Sequence, residues 1–371
     1  MSSPESKSVL ISGASIAGLT AACLMQQLGY RVTVVEQADQ LRIQGSAVNL
    51  TTEALEVAKR IGIYQALNAS ALKLEKWEFK DAGDTTVGQL PVDAADADEE
   101  VEIERGKLLQ LLTGALKEDI TFIFGDRITR LQENPEEVEV SFRNYPSQTF
   151  QLVLGADGSH SGVRKIWFGP EADYTHFLNH YFSITIVPKL LIPQGTAQMY
   201  NVPGKVVMLN AYNGKTDICF CFYSAQLLDY DYRNTNQQRH IIEQHFATEG
   251  WRTPELLQEI SRAETAYFDQ FSQVRMPYWT KGRVALVGDA AYCASPAAGI
   301  GGSLAIIGAA ALADALAQHP DNHAAAFNQY QQSFSPVVDE VQLNAATMLQ
   351  QYLIPPTHEA IRKRNTLQTF G

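Results

Sequence analysis

Positive charge is scarce in this sequence: 29 Lys and Arg stand against 41 Asp and Glu, a formal net charge of −12 over 371 residues. A chain this acidic lacks the field needed to hold nucleic acid or an anionic membrane surface, so neither is expected as a partner. Any phosphate it binds must be held by local geometry, meaning backbone N–H groups and a few placed arginines. Cysteine is scarce as well. Four are too few for a disulfide framework, and Cys23, Cys219, Cys221 and Cys293 show no metal-ligand spacing. Cys219 and Cys221 alternate within an apolar run, as a reduced core pair on one face of a strand would. The eight histidines include no H-E-x-x-H pair, so no metal is expected. No uninterrupted apolar run reaches the ~18 residues of a membrane span. The longest candidate, Ser303 to Ala313, is rich in small residues and closed by Asp314. The apolar start at Val9 imitates a signal peptide, but its glycines sit where a nucleotide fold needs them, and the cytoplasm is the expected compartment.

What is present is an ordinary globular composition, 45% hydrophobic and 19% charged, in a chain of 41.0 kDa. That length suggests two domains, or one large domain carrying an insertion. Val9 to Ile11 form a short apolar run suited to a strand buried on both faces. The turn Gly13-Ala-Ser-Ile-Ala-Gly18 follows, then a helical stretch to Leu28, and then a β-branched strand from Arg31 to Glu36. Helices are expected at Glu53–Leu67 and Arg105–Leu116, and strands at Thr121–Phe124, Val138–Phe142 and Gln151–Leu154. From Gly83 to Glu104 the chain is acidic and reads as an irregular solvated loop.

Between about residues 174 and 276 the texture alternates, as in YFSITIVP, GKVVMLNAY and DICFCFY, which predicts an antiparallel sheet interrupted by one helix near Asn236–Thr248. Nucleotide-fold texture returns at Arg283–Gly288, followed by a small-residue helix. From about Asp321 the chain is helical, with Pro355-Pro356 dividing it. The fold class expected is α/β: a Rossmann-like nucleotide-binding domain with an inserted antiparallel β-rich substrate domain and C-terminal helices. The divisions fall at 1–173, 174–276, 277–320 and 321–371.

Three motifs carry chemistry. In Gly13-x-Ser15-x-x-Gly18 a strand runs into a helix, so free N–H groups and the helix dipole face a pyrophosphate. Ser15 puts a Cβ where backbone would approach the phosphate. Ile16 and Ala17 complete the turn. Glu36, 23 residues after Gly13, would accept both ribose hydroxyls and repel a 2′-phosphate. The second motif is Leu154-Gly-Ala-Asp-Gly-Ser-His-Ser-Gly-Val-Arg164. The third is Gly282-Arg-Val-Ala-Leu-Val-Gly-Asp-Ala-Ala291, continuing to Gly299-Ile-Gly-Gly302.

With these three motifs in this order, the chain resembles the single-component FAD-dependent aromatic hydroxylases, or class A flavoprotein monooxygenases, over roughly Val9 to Leu316. The resemblance implies that Asp157, Gly158, Ser161 and Arg164 contact FAD and the nicotinamide cofactor, and that Asp289 bonds the ribityl chain. It also implies that the turn Pro296–Gly302, with Gly299, Gly301 and Gly302, faces the flavin ring. Arg105, in Glu104-Arg105-Gly106-Lys107-Leu108, matches the family's R-x-x-L helix start, and Arg42 holds a similar flavin-proximal place. The chain departs from the family at Tyr292, where a histidine is usual, at Gly299–Ser303 in place of G-Q-G-x-N, and near Gly308, where an acid is usual. Together with GASIAG, these departures resemble a subgroup that includes tetracycline-inactivating and antibiotic-tailoring enzymes.

The implied activity is NAD(P)H- and O2-dependent hydroxylation of an aromatic or polyketide-like small molecule, such as a tetracycline, through a flavin hydroperoxide. NAD(P)H would bind transiently. Arg164 and Lys165 are its phosphate partners or else solvated surface cations. A non-oxygenating FAD oxidoreductase and a flavin-binding sensor are the alternatives. Flavin halogenation is disfavoured, since no W-x-W-x-I-P string occurs. Substrate contacts are expected from Pro296 and from Tyr200, Asn210, Tyr212, Phe220 and Phe222 on strands of the insertion, although such aromatics serve as core more often than as ligands. His176 and His180 read as structural. No side chain stands out as a base, and the sequence does not set the oligomeric state.

Overall fold

A computed structural model of the chain describes residues 7–91, 100–263 and 266–366, so most of the acidic run at 93–100 lies outside the described residues. The chain folds into two compact units. The first holds 7–71, 100–176 and 272–342, and the second 72–91, 177–263, 266–271 and 343–366.

Along the chain come β1 (Ser8–Ser12), α1 (Ile16–Gln27), β2 (Arg31–Glu36), β3 (Ala47–Leu50), α2 (Thr52–Ile61) and α3 (Tyr64–Asn68). Next are β4 (Lys76–Lys80), β5 (Thr86–Pro91), β6 (Val101–Glu104), α4 (Arg105–Gly114), β7 (Thr121–Phe124), β8 (Ile128–Glu133), β9 (Val138–Phe142), β10 (Gln148–Phe150), β11 (Leu152–Gly155) and α5 (Gly162–Trp167). Then follow β12 (Thr175–Val187), β13 (Thr196–Val202), β14 (Lys205–Tyr212), β15 (Lys215–Tyr223), α6 (Thr235–Phe246), α7 (Thr253–Arg262) and β16 (Tyr267–Val274). Last are β17 (Thr280–Lys281), β18 (Val284–Leu286), α8 (Asp289–Tyr292), α9 (Gly301–Gln318), α10 (His323–Met348) and α11 (His358–Arg364).

The first unit is built on a six-stranded sheet ordered β17-β18-β11-β1-β2-β7, parallel throughout except for β17. Every residue of β1 is buried, as its unbroken apolar run requires. α1 is buried along nearly its whole length and packs against α9. α9 is long and apolar enough to cross a membrane by length and composition, but 61% of it is buried within the protein, as in a core helix. An antiparallel β8-β9-β10 meander and a β3-β6 pair complete this unit.

The second unit is a seven-stranded sheet, β16-β12-β15-β14-β13-β4-β5, with α6 and α7 against one face. Its core side carries Tyr181, Val207, Leu209, Ile218, Phe220 and Phe222, together with Phe246 of α6 and Leu256 of α7.

Four expectations need correction. The stretch 83–104 is not irregular throughout, because β5 and β6 form at its two ends. The strands β12 to β15 of the insertion pair antiparallel as expected, but the sheet extends beyond them: β4 runs parallel to β13, which draws residues 72–91 into the second unit rather than the first. The C-terminal stretch is divided between the units, with 321–342 in the first. Finally, the insertion carries a second helix, α7, whose Pro254 stands at its start and whose Leu256 and Ile260 supply the buried face. Prolines elsewhere break such a pattern, which hid this helix in the sequence.

Candidate cofactor site

In open parallel sheets, ligands bind beyond the carboxyl ends of the strands, where neighbouring connections diverge to opposite sides. Here that point lies between β1 and β11. Gly13 leaves β1 with φ +104°, and a Cβ on it would stand 2.4 Å from the Ala156 carbonyl oxygen. No other residue fits there. A Cβ on Gly18 would stand 1.9 Å from the Gly13 carbonyl oxygen, so α1 springs directly out of the turn. Glu36 closes the far side: its two carboxylate oxygens accept from Ala14 N at 2.9 Å and Ala38 N at 2.8 Å. The acid therefore holds the glycine turn against the end of β2 and still has lone pairs to offer a ribose.

Ser15 caps α1 in position only, because its side chain accepts no helix N–H. Its Oγ accepts instead from Arg105 Nη2 at 3.0 Å, while Arg105 Nη1 donates to the carbonyls of Arg42 at 2.8 Å and Gln44 at 2.7 Å. Burial, then the nearby Arg42 charge, pulls the Arg105 pKa down, and Glu36 works against them. Two arginines thus crowd the mouth of the glycine turn. Ile16, Ala17 and Gly18 are buried in α1, and only their backbone can meet a ligand.

The second motif is organised differently from the expectation. Asp157 accepts from Ser161 Oγ at 2.5 Å, Gly162 N at 2.8 Å and Val163 N at 3.1 Å, so its carboxylate is engaged with the start of α5. Burial pushes its pKa up, and these bonds oppose that rise. Arg164 has no exposed surface at all. Its Nη1 donates to the Ala290 carbonyl at 2.8 Å and its Nη2 to the Ser159 carbonyl. The expectation that Arg164 meets a cofactor phosphate is therefore corrected: the guanidinium is sealed in, and it links the second and third motifs. Lys165 is committed to Glu171 at 2.6 Å. Glu171 is held down at about 2, first by its hydrogen bond with His160 and then by that with Lys165, against the opposing effect of burial.

The third motif supplies the floor. Asp289 begins α8 and is open to solvent on one side. The protein packed around its carboxyl nonetheless pushes the pKa up, while the Cys293 thiol works the other way. Ser295 takes φ +86°, a strained value for a residue with a Cβ, and turns the chain into the exposed Pro296. Ser303 Oγ accepts from Thr51 N and donates to the Asn49 carbonyl, both at 2.9 Å, fastening the start of α9 to the end of β3. A Cβ at Gly158, Gly299 or Gly301 would meet nothing within 4 Å. These three glycines face open space, in contrast to the tight contacts at Gly13 and Gly18. Ser46 Oγ is buried near this groove without a partner.

A family model described as an FAD binding domain matches residues 6–345. The chain belongs to that FAD-binding family. A flavin-dependent monooxygenase from an unidentified prokaryote is 32% identical over 370 residues, covering 98% of this chain and 95% of that protein. An uncharacterised protein of Mycobacterium tuberculosis is 34% identical over 350 residues, covering 91% of this chain and 92% of that protein. The crystal structure of the tetracycline destructase Tet(55) superposes with a TM-score of 0.87 at 32% identity, covering 98% of this chain and 95% of that one.

The groove fits FAD on its own terms. Uncapped N–H groups of α1 and two arginines suit a pyrophosphate, Glu36 suits a ribose, and Asp289 suits a polyol chain. The open glycine turn before α9 suits a flat ring. Among the described residues no group of three His, Cys, Asp or Glu is placed to hold a metal ion.

The candidate substrate residues divide by sheet face. Tyr200, Phe220 and Phe222 point to the helix-covered side and belong to the second unit's core, with Phe222 stacked on His245 at 3.8 Å and edge-on to Phe246. Their expected role as substrate contacts is corrected by that burial. Tyr212 is also buried and donates to Asp217 at 2.9 Å. Asn210 lies on the opposite face and is half-buried. Its neighbours on that face are Met208, Cys219 and Ile184, aligned across three strands. Cys219 is partly open, yet its sulfur sits in a dense shell that pushes the thiol pKa well up, so it stays neutral at pH 7. Sequence reasoning named residues of both faces, because alternation marks two faces without saying which one a helix will cover. His180 is buried with Nδ1 2.6 Å from the Leu178 carbonyl oxygen, as a structural histidine should be.

Proposed function

We propose that this protein is an FAD-dependent monooxygenase that uses NAD(P)H and O2 to hydroxylate an aromatic or polyketide-like small molecule, with a tetracycline the first candidate. The observation that carries the reading is the glycine turn at Gly299–Gly301. It is open, and it leads directly into α9, a helix of 18 residues. Relatives named as flavin-dependent monooxygenases or tetracycline destructases, matched over nearly their whole length, support it. FAD, when bound, supplies the redox chemistry that passes electrons from the nicotinamide to O2 and delivers one oxygen atom to the substrate.

The chain's own residues bind, orient and stabilise. Arg105, Arg42 and the α1 N-terminus neutralise the pyrophosphate. Glu36 fixes the adenosine end and disfavours a 2′-phosphate there. Asp289 orients the polyol. The backbone N–H groups at the start of α9 face any negative charge that develops on the ring's pyrimidine end. For the substrate we propose the half-buried sheet face around Met208, Asn210, Cys219 and Ile184, where apolar and polar side chains alternate. The cytoplasm is the proposed compartment.

The test begins with an absorbance spectrum of the purified protein. NADPH or NADH is then added with O2 and tetracycline, and the product is weighed. A flavin spectrum and a product heavier by one oxygen atom are the expected outcomes. Cofactor oxidation with no oxygenated product from a panel of polyphenols would move the protein to a non-oxygenating oxidoreductase. A colourless protein unable to take up FAD would end the proposal.

A further inference from the structure

Serine is among the best residues for capping a helix, because its hydroxyl accepts one of the free N–H groups of the first turn. Ser15 stands at the cap of α1 with extended backbone (φ −101°, ψ −166°) and does not do so. Its hydroxyl is turned toward Arg105, 90 residues away, at 3.0 Å. Two consequences follow from the same rotamer. The first N–H groups of a twelve-residue helix stay free for an anion, and an arginine is fixed beside them.

Arg105 in turn is more clamp than hand. A guanidinium has five N–H donors. Arg105 spends two Nη1 donors on the carbonyls of Arg42 and Gln44 and one Nη2 donor on Ser15, leaving two for a ligand. The bonded carbonyls belong to the strap Leu41–Ser46 that carries the exposed Arg42. Two glycines let the strap close on Arg105 and its helix. A Cβ on Gly45 would stand 2.9 Å from Arg105 Cδ, and one on Gly106 would stand 2.2 Å from the Ile43 carbonyl oxygen. Like charges are thereby held together at the turn: Arg42 is close enough to help depress the Arg105 pKa.

We propose that Ser15, at the middle position of the glycine motif, is a positioning residue for FAD: by fixing Arg105 it pins the strap that carries Arg42 and holds both guanidinium groups at the pyrophosphate cradle before the cofactor arrives. Preorganisation of this kind raises affinity by removing an ordering cost from the binding step. The inference rests on membership of the FAD-binding family and not on the oxygenation reaction.

The test uses apoprotein and FAD alone. FAD affinity is measured by quenching of flavin fluorescence for wild type, Ser15→Ala, Ser15→Thr, Arg105→Met and the double variant Ser15→Ala/Arg105→Met. Ser15→Ala is expected to weaken FAD about tenfold, the scale of one hydrogen bond to a charged group. Ser15→Thr should keep most of the affinity. In the Arg105→Met background, loss of the hydroxyl should cost nothing further. If Ser15→Ala still costs tenfold there, the serine acts directly on the cofactor and the proposal fails. A second reading needs neither cofactor nor activity: trypsin cleavage after Arg42 in the apoprotein, scored against cleavage after Arg233. Ser15→Ala should accelerate cut formation at Arg42 several-fold, whereas an unchanged ratio would show that the hydroxyl does not hold the strap.

Discussion

The Tyr292 hydroxyl occupies the space that a methyl group at position 308 would need: a Cβ built on Gly308 would lie 1.8 Å from it and 2.8 Å from Phe334 Cε1. Both lie where the chain departs from the pattern of the family it resembles, in which a histidine is usual at 292 and an acid near 308. Tyr292 comes three residues after Asp289 and is buried among Trp279, Tyr330 and Phe334, with its hydroxyl 3.2 Å from that of Tyr330. The Tyr292 ring packs from α8 against the Tyr330 and Phe334 rings of α10, and the absence of a side chain at 308 makes the room.

Gly308→Ala should therefore destabilise the protein by about 1–3 kcal/mol, the cost of overpacking a filled core. Tyr292→Phe on top of it removes the nearest clashing atom and should recover part of that loss. Urea denaturation of the four members of the cycle would measure the coupling. Additive effects, or an unchanged midpoint for Gly308→Ala, would contradict the steric account.

Arg164→Met should behave unlike the loss of a surface cation. The guanidinium is buried, and its removal leaves the carbonyls of Ala290 and Ser159 without their donor. Each unpaired buried acceptor costs about 1–3 kcal/mol. The expected result is a lower melting temperature of the apoprotein and weaker FAD binding, because the Asp289 turn loses its tether. A nicotinamide-affinity defect alone, with melting unchanged, would restore Arg164 as a ligand contact.

Much of this was legible in the sequence. The phosphate and adenosine side of the cofactor groove follows from local rules: Gly13 and Gly18 from turn geometry, and Glu36 from its place at the end of β2. The parallel strands β1, β2 and β11 announce themselves as short apolar runs. What was not legible depends on partners far along the chain. Nothing near Arg164 says that it will be sealed against Ala290, and nothing near Ser15 says that Arg105 will reach it. The parallel pairing of β4 with β13 is equally silent, since a strand's pattern fixes its faces and not its neighbour. Phe220 and Phe222 sit on the face that α6 covers, and only the packed structure decides which face that is.

Asp126 gives a pH dependence with a definite sign. It is buried, and its carboxylate accepts from the backbone N–H groups of Arg127, Arg143, Asn144 and Tyr145 at 2.7–3.2 Å. Burial raises its pKa, but these four donors outweigh that and leave it lowered. A folded-state pKa below the unfolded value of about 3.9 means that the stabilisation is complete above that pH and is lost as pH falls through the folded pKa. Asp126→Asn should lose stability at pH 7 and show a smaller further loss on acidification than wild type. Chemical denaturation at neutral and acid pH would settle this, and parallel pH profiles for the two proteins would refute it.

The two faces of the second sheet should separate stability from substrate handling. Phe222 is 1% exposed and packs on Tyr181, His245 and Phe246, so Phe222→Ala removes core contacts worth about 3–5 kcal/mol. Met208 lies on the other face, half-buried beside Cys219 and Met199. Met208→Ala loses less packing and should keep most of the melting temperature, because the face it occupies is partly open. If that face meets the substrate, Met208→Ala should raise KM for the substrate at least several-fold, while FAD affinity stays as in wild type. Phe222→Leu, which refills most of the volume, should leave KM alone and lower the melting temperature. The reverse pattern, with KM tracking Phe222 and stability tracking Met208, would return the substrate to the helix-covered side.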